Sequence, residues 1–338
     1  MAACKKIGED SVLERIRLAF DGRGTGRLRK VRRGEFVSLG MGDDAALVRP
    51  GRGREIVLTC DWFLEGTHFL RDAHPADSVG WKCLARAVSD VAAMGGVPRC
   101  FLLSLALPKE LIGGAWLDGF LGGLKRAASR FGCELAGGDS TARREVLINV
   151  TVVGEVLRGR AGRRAGARVG DVIYVSGQLG EAELGLRLLR SAKRLRVARN
   201  DARLRKHLYP EPRVELGRWL SERRVATAMM DLSDGLSSDL GRLCVASGVG
   251  ALVDSGRLPV VRAAGADALE LALHGGDDYE LLFTVAKRDV GRVPRSLGGV
   301  GITAIGEITR GREVMVVGES GRRQLLKAGG WDPFCDSR

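Results

Sequence analysis

The chain has 338 residues, of which 45% are hydrophobic and 28% are charged, and its formal charge is +13. This length suffices for two domains with sizeable cores, and the composition excludes the disordered and fibrous classes of protein. Because no apolar stretch approaches the ~18 residues of a membrane span and the N-terminus lacks the apolar segment of a signal peptide, we expect a cytoplasmic protein.

The first 34 residues contain a helical segment and then a run rich in glycine and arginine. Val12, Ile16 and Ala19 have helical spacing, whereas residues 22–28 (GRGTGRL) show no periodicity. The run superficially resembles a dinucleotide-binding loop, but no strand precedes it and no apolar helix follows directly. We therefore predict a mobile loop over residues 22–34.

Strand-like and helical runs alternate over residues 35–160, which we predict to be one α/β domain. On its second helix, Leu117 and four later residues share one apolar face: Phe120, Leu121, Leu124 and Ala128. The predicted elements are strands at 56–59, 101–107 and 146–156 and helices at 78–94 and 111–131.

The stretch 158–170, rich in Arg, Gly and Ala, interrupts this alternation, and we place a domain boundary there. Residues 161–338 form a second α/β domain of similar size. Its predicted strands are at 171–176, 226–230, 251–253, 279–285 and 302–308, and its helices at 180–189, 212–223, 235–246 and 267–273.

Arginine supplies the excess charge, with 44 of the 54 basic residues. Basic residues crowd two runs, 158–168 and 187–206, but only 5% of the chain is aromatic, so few rings are available to stack on bases. We interpret both runs as solvated basic faces and keep a nucleic-acid footprint as the alternative. The seven cysteines form no Cys-x-x-Cys pair, which indicates reduced core residues and neither zinc nor a disulfide framework.

Six acidic motifs lie beside glycine or after predicted strands. A single Gly-Asp pair usually marks a turn, but six in one chain call for a joint explanation. Asp61 and Asp231 follow predicted strands, where α/β folds bind their ligands. The motifs are Gly42-Asp-Asp44, Thr59-Cys-Asp61, Ser89-Asp90, Gly137-Gly-Asp-Ser140, Asp231-Leu-Ser-Asp-Gly235 and Gly275-Gly-Asp-Asp278.

Clustered carboxylates without His or Cys favour Mg²⁺ over zinc, because oxygen ligands suit a hard cation. Mg²⁺ takes only one or two protein carboxylates per ion and completes its shell with water and phosphate oxygens, so this set would serve several ions. A site with several Mg²⁺ ions suits the binding of a nucleoside triphosphate next to a second phosphorylated substrate. The chain contains neither a P-loop nor the protein-kinase motifs, which indicates another phosphoryl-transfer scaffold.

Read in order from about residue 9 to Phe334, the motifs resemble those of the thiamine-monophosphate kinase family. The resemblance rests on residues 40–46 (GMGDDAA), Asp61-x6-His68-Phe69, and the motifs at 87–95, 137–140, 231–236 and 275–281. It implies an N-terminal ATP-binding domain, whose mixed sheet is flanked by helices and forms a dimer interface, and a C-terminal α/β domain of the same superfamily that closes over it. It also implies direct transfer of the γ-phosphoryl group of ATP to thiamine monophosphate.

The resemblance also implies a role for each motif residue. Asp61, Asp139 and Arg164 would be catalytic. Mg²⁺ would be bound by Asp44, Thr59, Asp61, Asp90, Asp139 and Asp231, with Asp234 serving a further ion. ATP would contact Gly138, Asp139, Arg164 and Ser233, and the thiamine moiety would face His68, Asp277 and Trp331.

Three positions depart from the family pattern. Cys60 replaces a hydroxyl residue, so its main-chain carbonyl rather than its side chain would contact a metal. Asp277 is one methylene shorter than the usual glutamate, and Trp331 replaces a common tyrosine but keeps a flat ring that can stack on a cationic heterocycle.

The chemistry is consistent with a site poor in histidine, because a phosphate acceptor is already ionised near pH 7 and needs no general base. Several of these residues could instead have a purely structural role. Arg164 would be a surface arginine, His68 would pack beside Phe69, and Asp234 would complement a helix dipole. We also predict that Ser233 is the N-cap of the helix that follows, a role compatible with phosphate contact.

Two relatives of the same superfamily are weaker alternatives. A selenophosphate synthetase would need a reactive residue in a Gly-rich context that Cys4 lacks, and a hydrogenase-maturation protein would end in cysteine, whereas three residues follow Cys335. A basic nucleic-acid-binding protein is the non-enzymatic alternative, and it rests on net charge alone.

Overall fold

The structure, a computed structural model, describes residues 15–16, 18–20, 36–39, 47–191, 202–261, 267–332 and 334. The loop predicted at 22–34 and the motif at 40–46, with Asp44, lie outside these residues. The chain divides into two compact units. The first comprises Met1–Val88 and Pro98–Glu155, and the second comprises Ser89–Val97 and Val156–Arg338.

The first unit contains a four-stranded sheet in the order β3-β6-β4-β5, in which β4 and β5 run parallel. A small antiparallel pair, β1 with β2, precedes it. Its elements are β1 (Val37–Leu39), β2 (Leu47–Val48), β3 (Arg54–Leu64), α1 (Ala76–Ala93), β4 (Val97–Leu107), α2 (Ala115–Phe131), β5 (Glu134–Ala142) and β6 (Leu147–Leu157).

Helices α1 and α2 pack with their backbones in close contact. A Cβ at Gly80 would lie 2.0 Å from the carbonyl oxygen of Phe120, and one at Gly123 would lie 1.8 Å from that of Asp77. The apolar face predicted for the second helix is confirmed, because all five of its residues are buried. The helix ends at Phe131 and is capped by Gly132, whose left-handed conformation (φ 65°) is the usual helix stop.

The second unit is built on an eight-stranded sheet in the order β14-β13-β9-β12-β7-β10-β8, with β11 paired to β12. Its neighbours are antiparallel except β13 with β9. Its elements are β7 (Val172–Ser176), α3 (Glu181–Ser191), α4 (Ala202–Leu208), α5 (Val214–Glu222), β8 (Ala226–Leu232), α6 (Leu236–Ser247), β9 (Gly250–Asp254), α7 (Ala268–His274), β10 (Glu280–Val285), β11 (Ser296–Leu297), β12 (Val300–Thr309), β13 (Val314–Val317) and β14 (Arg323–Leu325).

This sheet is covered on both faces, as the alternation of its side chains requires. Met230 on β8 packs into a core with Leu240 of α6, whereas its neighbour Met229 packs into a second core with Leu216 and Leu220 of α5. The family resemblance predicted sheets flanked by helices, and that fold is confirmed. The sheet is mainly antiparallel, which the strand periodicity alone did not indicate.

One residue departs from the expectation about charge, whereas the described arginines of the same run are exposed, as predicted. The basic run 187–206 was predicted to be a solvated face, but its last residue, Lys206, is on α4 and its side chain is only 13% exposed, paired with the buried carboxylate of Glu280. Arg187, by contrast, is half-exposed and pairs with Glu183 on the surface. Helix α4 is therefore part of the packed structure.

The five described cysteines are free thiols, and four of them are buried, in agreement with their prediction as core residues. The exception is Cys60, which is exposed; Cys4 and Cys335 lie outside the described residues. Within the described part of the chain, no helix combines the length and apolarity needed to cross a membrane.

Candidate functional site

The predicted metal ligands Thr59 and Asp61 lie inside strand β3. We had expected Asp61 just beyond a strand ending at Thr59, but β3 continues to Leu64. Both side chains are partly buried, on the face that also carries the buried Val57 and Phe63. The strand therefore fixes their direction more firmly than a loop would.

Cys60 faces the other way. Successive side chains of a strand point to opposite faces, so its thiol is on the side away from Asp61. There it lies 3.3 Å from the Oδ1 atom of Asn149. A metal contact through the Cys60 main-chain carbonyl stays a prediction.

Gly138 and Asp139 also lie within a strand, β5, where no strand was predicted. Gly138 is opposite Leu103 of the parallel strand β4, and a Cβ at this position would lie 1.9 Å from the Leu103 carbonyl oxygen. Only glycine fits this close approach. The neighbouring Asp139 is exposed.

His68 is held by its own chain. Its Nδ1 accepts the backbone N–H of Leu64 at 3.0 Å, so in the neutral ring the proton is on Nε2. The ring lies 5.8 Å from that of Phe63, which in turn stacks on Phe69. Packing and a substrate contact through Nε2–H are compatible in this arrangement.

In the second unit, the end of α1 lies against the end of β8. The hydroxyl of Ser89 donates a hydrogen bond to Oδ2 of Asp231 at 2.7 Å. Asp231 is only 4% exposed, and Asp90, the next residue after Ser89, is partly buried. Two of the predicted metal ligands are thus carried by adjoining segments of one unit.

The turn after Asp231 is organised by a residue that the sequence analysis missed. Asp239, fully buried in the first turn of α6, accepts the backbone N–H groups of Ser233 at 3.1 Å and Asp234 at 3.0 Å. Burial, with repulsion from Asp234, raises the pKa of Asp239 to about 6. The prediction that Ser233 is the N-cap was wrong, because α6 begins at Leu236 and its cap position is Gly235.

Asp234 forms an ion pair instead of complementing the helix dipole from the first turn. Its Oδ2 accepts a hydrogen bond from Nη1 of Arg242, which also donates to Asp239 at 2.6 Å. A cation bound at Asp234 would therefore compete with Arg242.

The predicted substrate residues Asp277 and Trp331 both contact this turn. The amide of Asp277 donates to the carbonyl of Ser233 at 2.7 Å, and that of Trp331 donates to the carbonyl of Asp234 at 3.0 Å. A Cβ at Gly330 would lie 1.9 Å from the Asp234 oxygen, so the approach of the C-terminal segment depends on glycine. The Trp331 side chain remains 38% exposed.

Arg164 lies in a loop that borders strand β8. The amide of Met229 donates to the Arg163 carbonyl, and the hydroxyl of Ser247 donates to the Arg164 carbonyl at 2.9 Å. The same hydroxyl accepts the amides of Gly166 and Ala167. The loop backbone is therefore fixed, while the Arg164 side chain is exposed.

These donors are carboxylate and hydroxyl oxygens, the ligands that Mg²⁺ prefers. Among the described residues, no group of three or more His, Cys, Asp or Glu side chains forms a ready metal site. Because Mg²⁺ needs only one or two carboxylates beside phosphate and water, the donor set fits that ion.

The chain matches two family models. Residues 42–156 match "AIR synthase related protein, N-terminal domain", and residues 168–319 match "AIR synthase related protein, C-terminal domain". The thiamine-monophosphate kinase of Escherichia coli K12 is 38% identical over 307 residues, which cover 88% of this chain and 93% of that protein.

The chain is also similar to solved structures of thiamine-monophosphate kinases. The thiamine-monophosphate kinase of Stenotrophomonas maltophilia K279a is 37% identical with a TM-score of 0.77, covering 90% of this chain and 95% of that one. A structure of AaThiL complexed with AMPPCP and TMP is 36% identical with a TM-score of 0.74, covering 87% and 92%. The hydrogenase-maturation protein HypE in complex with ATP, at 19% identity and a TM-score of 0.71 over 86% and 89%, shares the fold alone.

Proposed function

The chain belongs to the thiamine-monophosphate kinase family, and we propose that it transfers the γ-phosphoryl group of ATP to thiamine monophosphate, giving thiamine diphosphate. The observation that carries this proposal is the similarity to AaThiL complexed with AMPPCP and TMP, which extends over 87% of this chain. ATP and thiamine monophosphate would thus be the two substrates.

We assign the neutralisation of phosphate charge during the reaction to Mg²⁺ bound by carboxylate and hydroxyl oxygens of each unit. Thr59, Asp61 and Asp139 would serve in the first unit, and Asp90, Asp231 and Asp234 in the second, with Asp44 added from outside the described residues. When bound, Mg²⁺ would neutralise phosphate oxygens and reduce the repulsion between two polyanions. Asp61 and Asp139 would be catalytic in this sense.

The remaining assignments concern binding. Gly138, Arg164 and Ser233 would contact ATP, with the exposed guanidinium of Arg164 donating to the transferring phosphate. His68, Asp277 and Trp331 would contact thiamine monophosphate, Asp277 through its charge and Trp331 through its ring. The free thiols of the described cysteines suit a reducing compartment, and we propose the cytoplasm.

The direct test is turnover with ATP and Mg²⁺ on thiamine, thiamine monophosphate and aminoimidazole precursors in parallel. We expect thiamine diphosphate from the monophosphate alone. Absence of that product would refute the assignment. Turnover of an aminoimidazole precursor would instead favour another member of the superfamily, an alternative that the sequence relatives do not favour.

We also propose that the enzyme is a homodimer formed through the sheet of the first unit. Strand β3 is at the edge of that sheet and exposes apolar side chains at alternate positions, Ile56 (39%), Leu58 (68%) and Trp62 (56%). Exposed apolar stripes of this kind mark protein interfaces in soluble proteins.

Leu58→Asp should weaken the dimer, raising its Kd by about 100-fold or more, because a charge would be buried in the apolar interface. Light scattering across a dilution series measures this. The control is Val245→Asp on α6 of the second unit, another exposed apolar residue (80%), which should leave the dimer intact. A wild-type monomer, or equal dissociation of both variants, would argue against the interface.

A further inference from the structure

Asp277 and Tyr279 both have backbone conformations that few non-glycine residues adopt. The φ of Asp277 is 65° and that of Tyr279 is 49°, both in the left-handed region. The amide of Asp277 donates to the Ser233 carbonyl at 2.7 Å, and the amide of Tyr279 donates to the Leu232 carbonyl at 2.8 Å. These hydrogen bonds attach the loop to the end of β8 and maintain the strained backbone.

The carboxylate of Asp277 is held from its buried side. The hydroxyl of Tyr279 donates to its Oδ1 at 2.6 Å, and Nδ1 of His207 lies 3.9 Å from its Oδ2. Tyr279 is 2% exposed and His207 is 1% exposed, whereas the Asp277 side chain keeps 26% of its surface accessible. The carboxylate thus has two buried partners and remains partly accessible to solvent.

We propose that Tyr279 is a positioning residue for substrate recognition, whose hydroxyl fixes the Asp277 carboxylate toward the cationic heterocycle of thiamine monophosphate. This inference rests on the proposed function and adds a residue to it. A carboxylate held in one rotamer before binding loses less conformational freedom when the cation arrives, so the contact contributes more to affinity.

The hydroxyl can be removed with one substitution, Tyr279→Phe, which keeps the buried ring. We expect the KM for thiamine monophosphate to rise about tenfold, with kcat and the KM for ATP within about twofold. The matched control is Tyr174→Phe, because Tyr174 is also buried in this unit, where it stacks on Phe283. It should leave all three constants unchanged.

A double-mutant cycle separates positioning from general stability. In an Asp277→Ala background, Tyr279→Phe should have no further effect on the KM for thiamine monophosphate, because the group on which it acts is gone. An equal rise in both backgrounds, an unchanged KM in the single variant, or failure of Tyr279→Phe to fold would overturn the proposal.

The wild-type enzyme is assayed first. If it does not turn over thiamine monophosphate, the proposed function fails. If it does and Tyr279→Phe matches it, only the positioning role fails.

Discussion

Asp61→Asn should lower kcat by about 100-fold or more while the protein stays folded. The substitution preserves shape but removes a negative charge that we assign to Mg²⁺, and loss of one electrostatic contact to a transition state typically costs 10²–10³ in rate. The side chain is partly buried on the face of β3 that also carries the buried Val57 and Phe63, so its position is set by the strand.

The measurement is turnover at saturating ATP and thiamine monophosphate over a series of Mg²⁺ concentrations. A second readout is the rise in melting temperature that Mg²⁺ produces in the absence of substrates, which should shrink in the variant. The control is Asp72→Asn, an exposed aspartate of the same unit, which should behave as wild type. Wild-type turnover in Asp61→Asn would leave Asp61 with a structural role only.

Hydrophobic periodicity predicted most of the framework. Helix α2 has its buried face at the predicted positions, and strand β8 was predicted within two residues of its end. Both elements have a hydrophobic pattern that can be recognised from the local sequence alone. Strand β5 was missed, because Gly137-Gly-Asp139 has the composition of a turn and becomes a strand only by pairing with β4.

The arrangement of the candidate site was harder to predict. We expected Asp231 directly after its strand, where α/β folds bind their ligands, but β8 continues through it to Leu232. The end of β8 lies beside the start of β10 because the two strands are antiparallel, with Leu232 opposite Glu280. This order brings Asp277 to the turn after Asp231, and periodicity contains no information on strand order. Asp239 was overlooked because an acid in a first helical turn is ordinary until its partners are known.

The second large effect concerns stability. Glu280 is fully buried, with no exposed surface, and accepts hydrogen bonds from Nε of Arg213 at 2.6 Å and from the hydroxyl of Ser176. Lys206 pairs with its other oxygen. Burial alone would raise the pKa of Glu280, but Lys206 and Arg213 outweigh it, so the pKa lies below the ordinary value of 4.5.

Glu280→Gln should lower the free energy of unfolding by about 3–5 kcal/mol at pH 7, because it leaves two largely buried cations without their counter-charge. Chemical denaturation measures this change. Glu270→Gln is the control, since Glu270 is 53% exposed, 3.6 Å from Arg187, and its loss should cost less than about 0.5 kcal/mol.

The pH dependence of the stability difference between wild type and Glu280→Gln tests whether the Glu280 charge causes it. A carboxyl group whose folded pKa is depressed stabilises the fold above its unfolded pKa and loses this contribution as the pH falls through the folded value. The gap between wild type and Glu280→Gln should therefore be full above about pH 5 and shrink below pH 4.5. Asp278, whose pKa burial raises to about 7, contributes the opposite slope, and the Glu280 charge adds to that rise. Glu280→Gln should therefore weaken the rise, an effect that falls near pH 7 and is separate from the change below pH 4.5. A gap that persists unchanged to low pH would show that packing and hydrogen bonds, rather than the Glu280 charge, stabilise this part of the core.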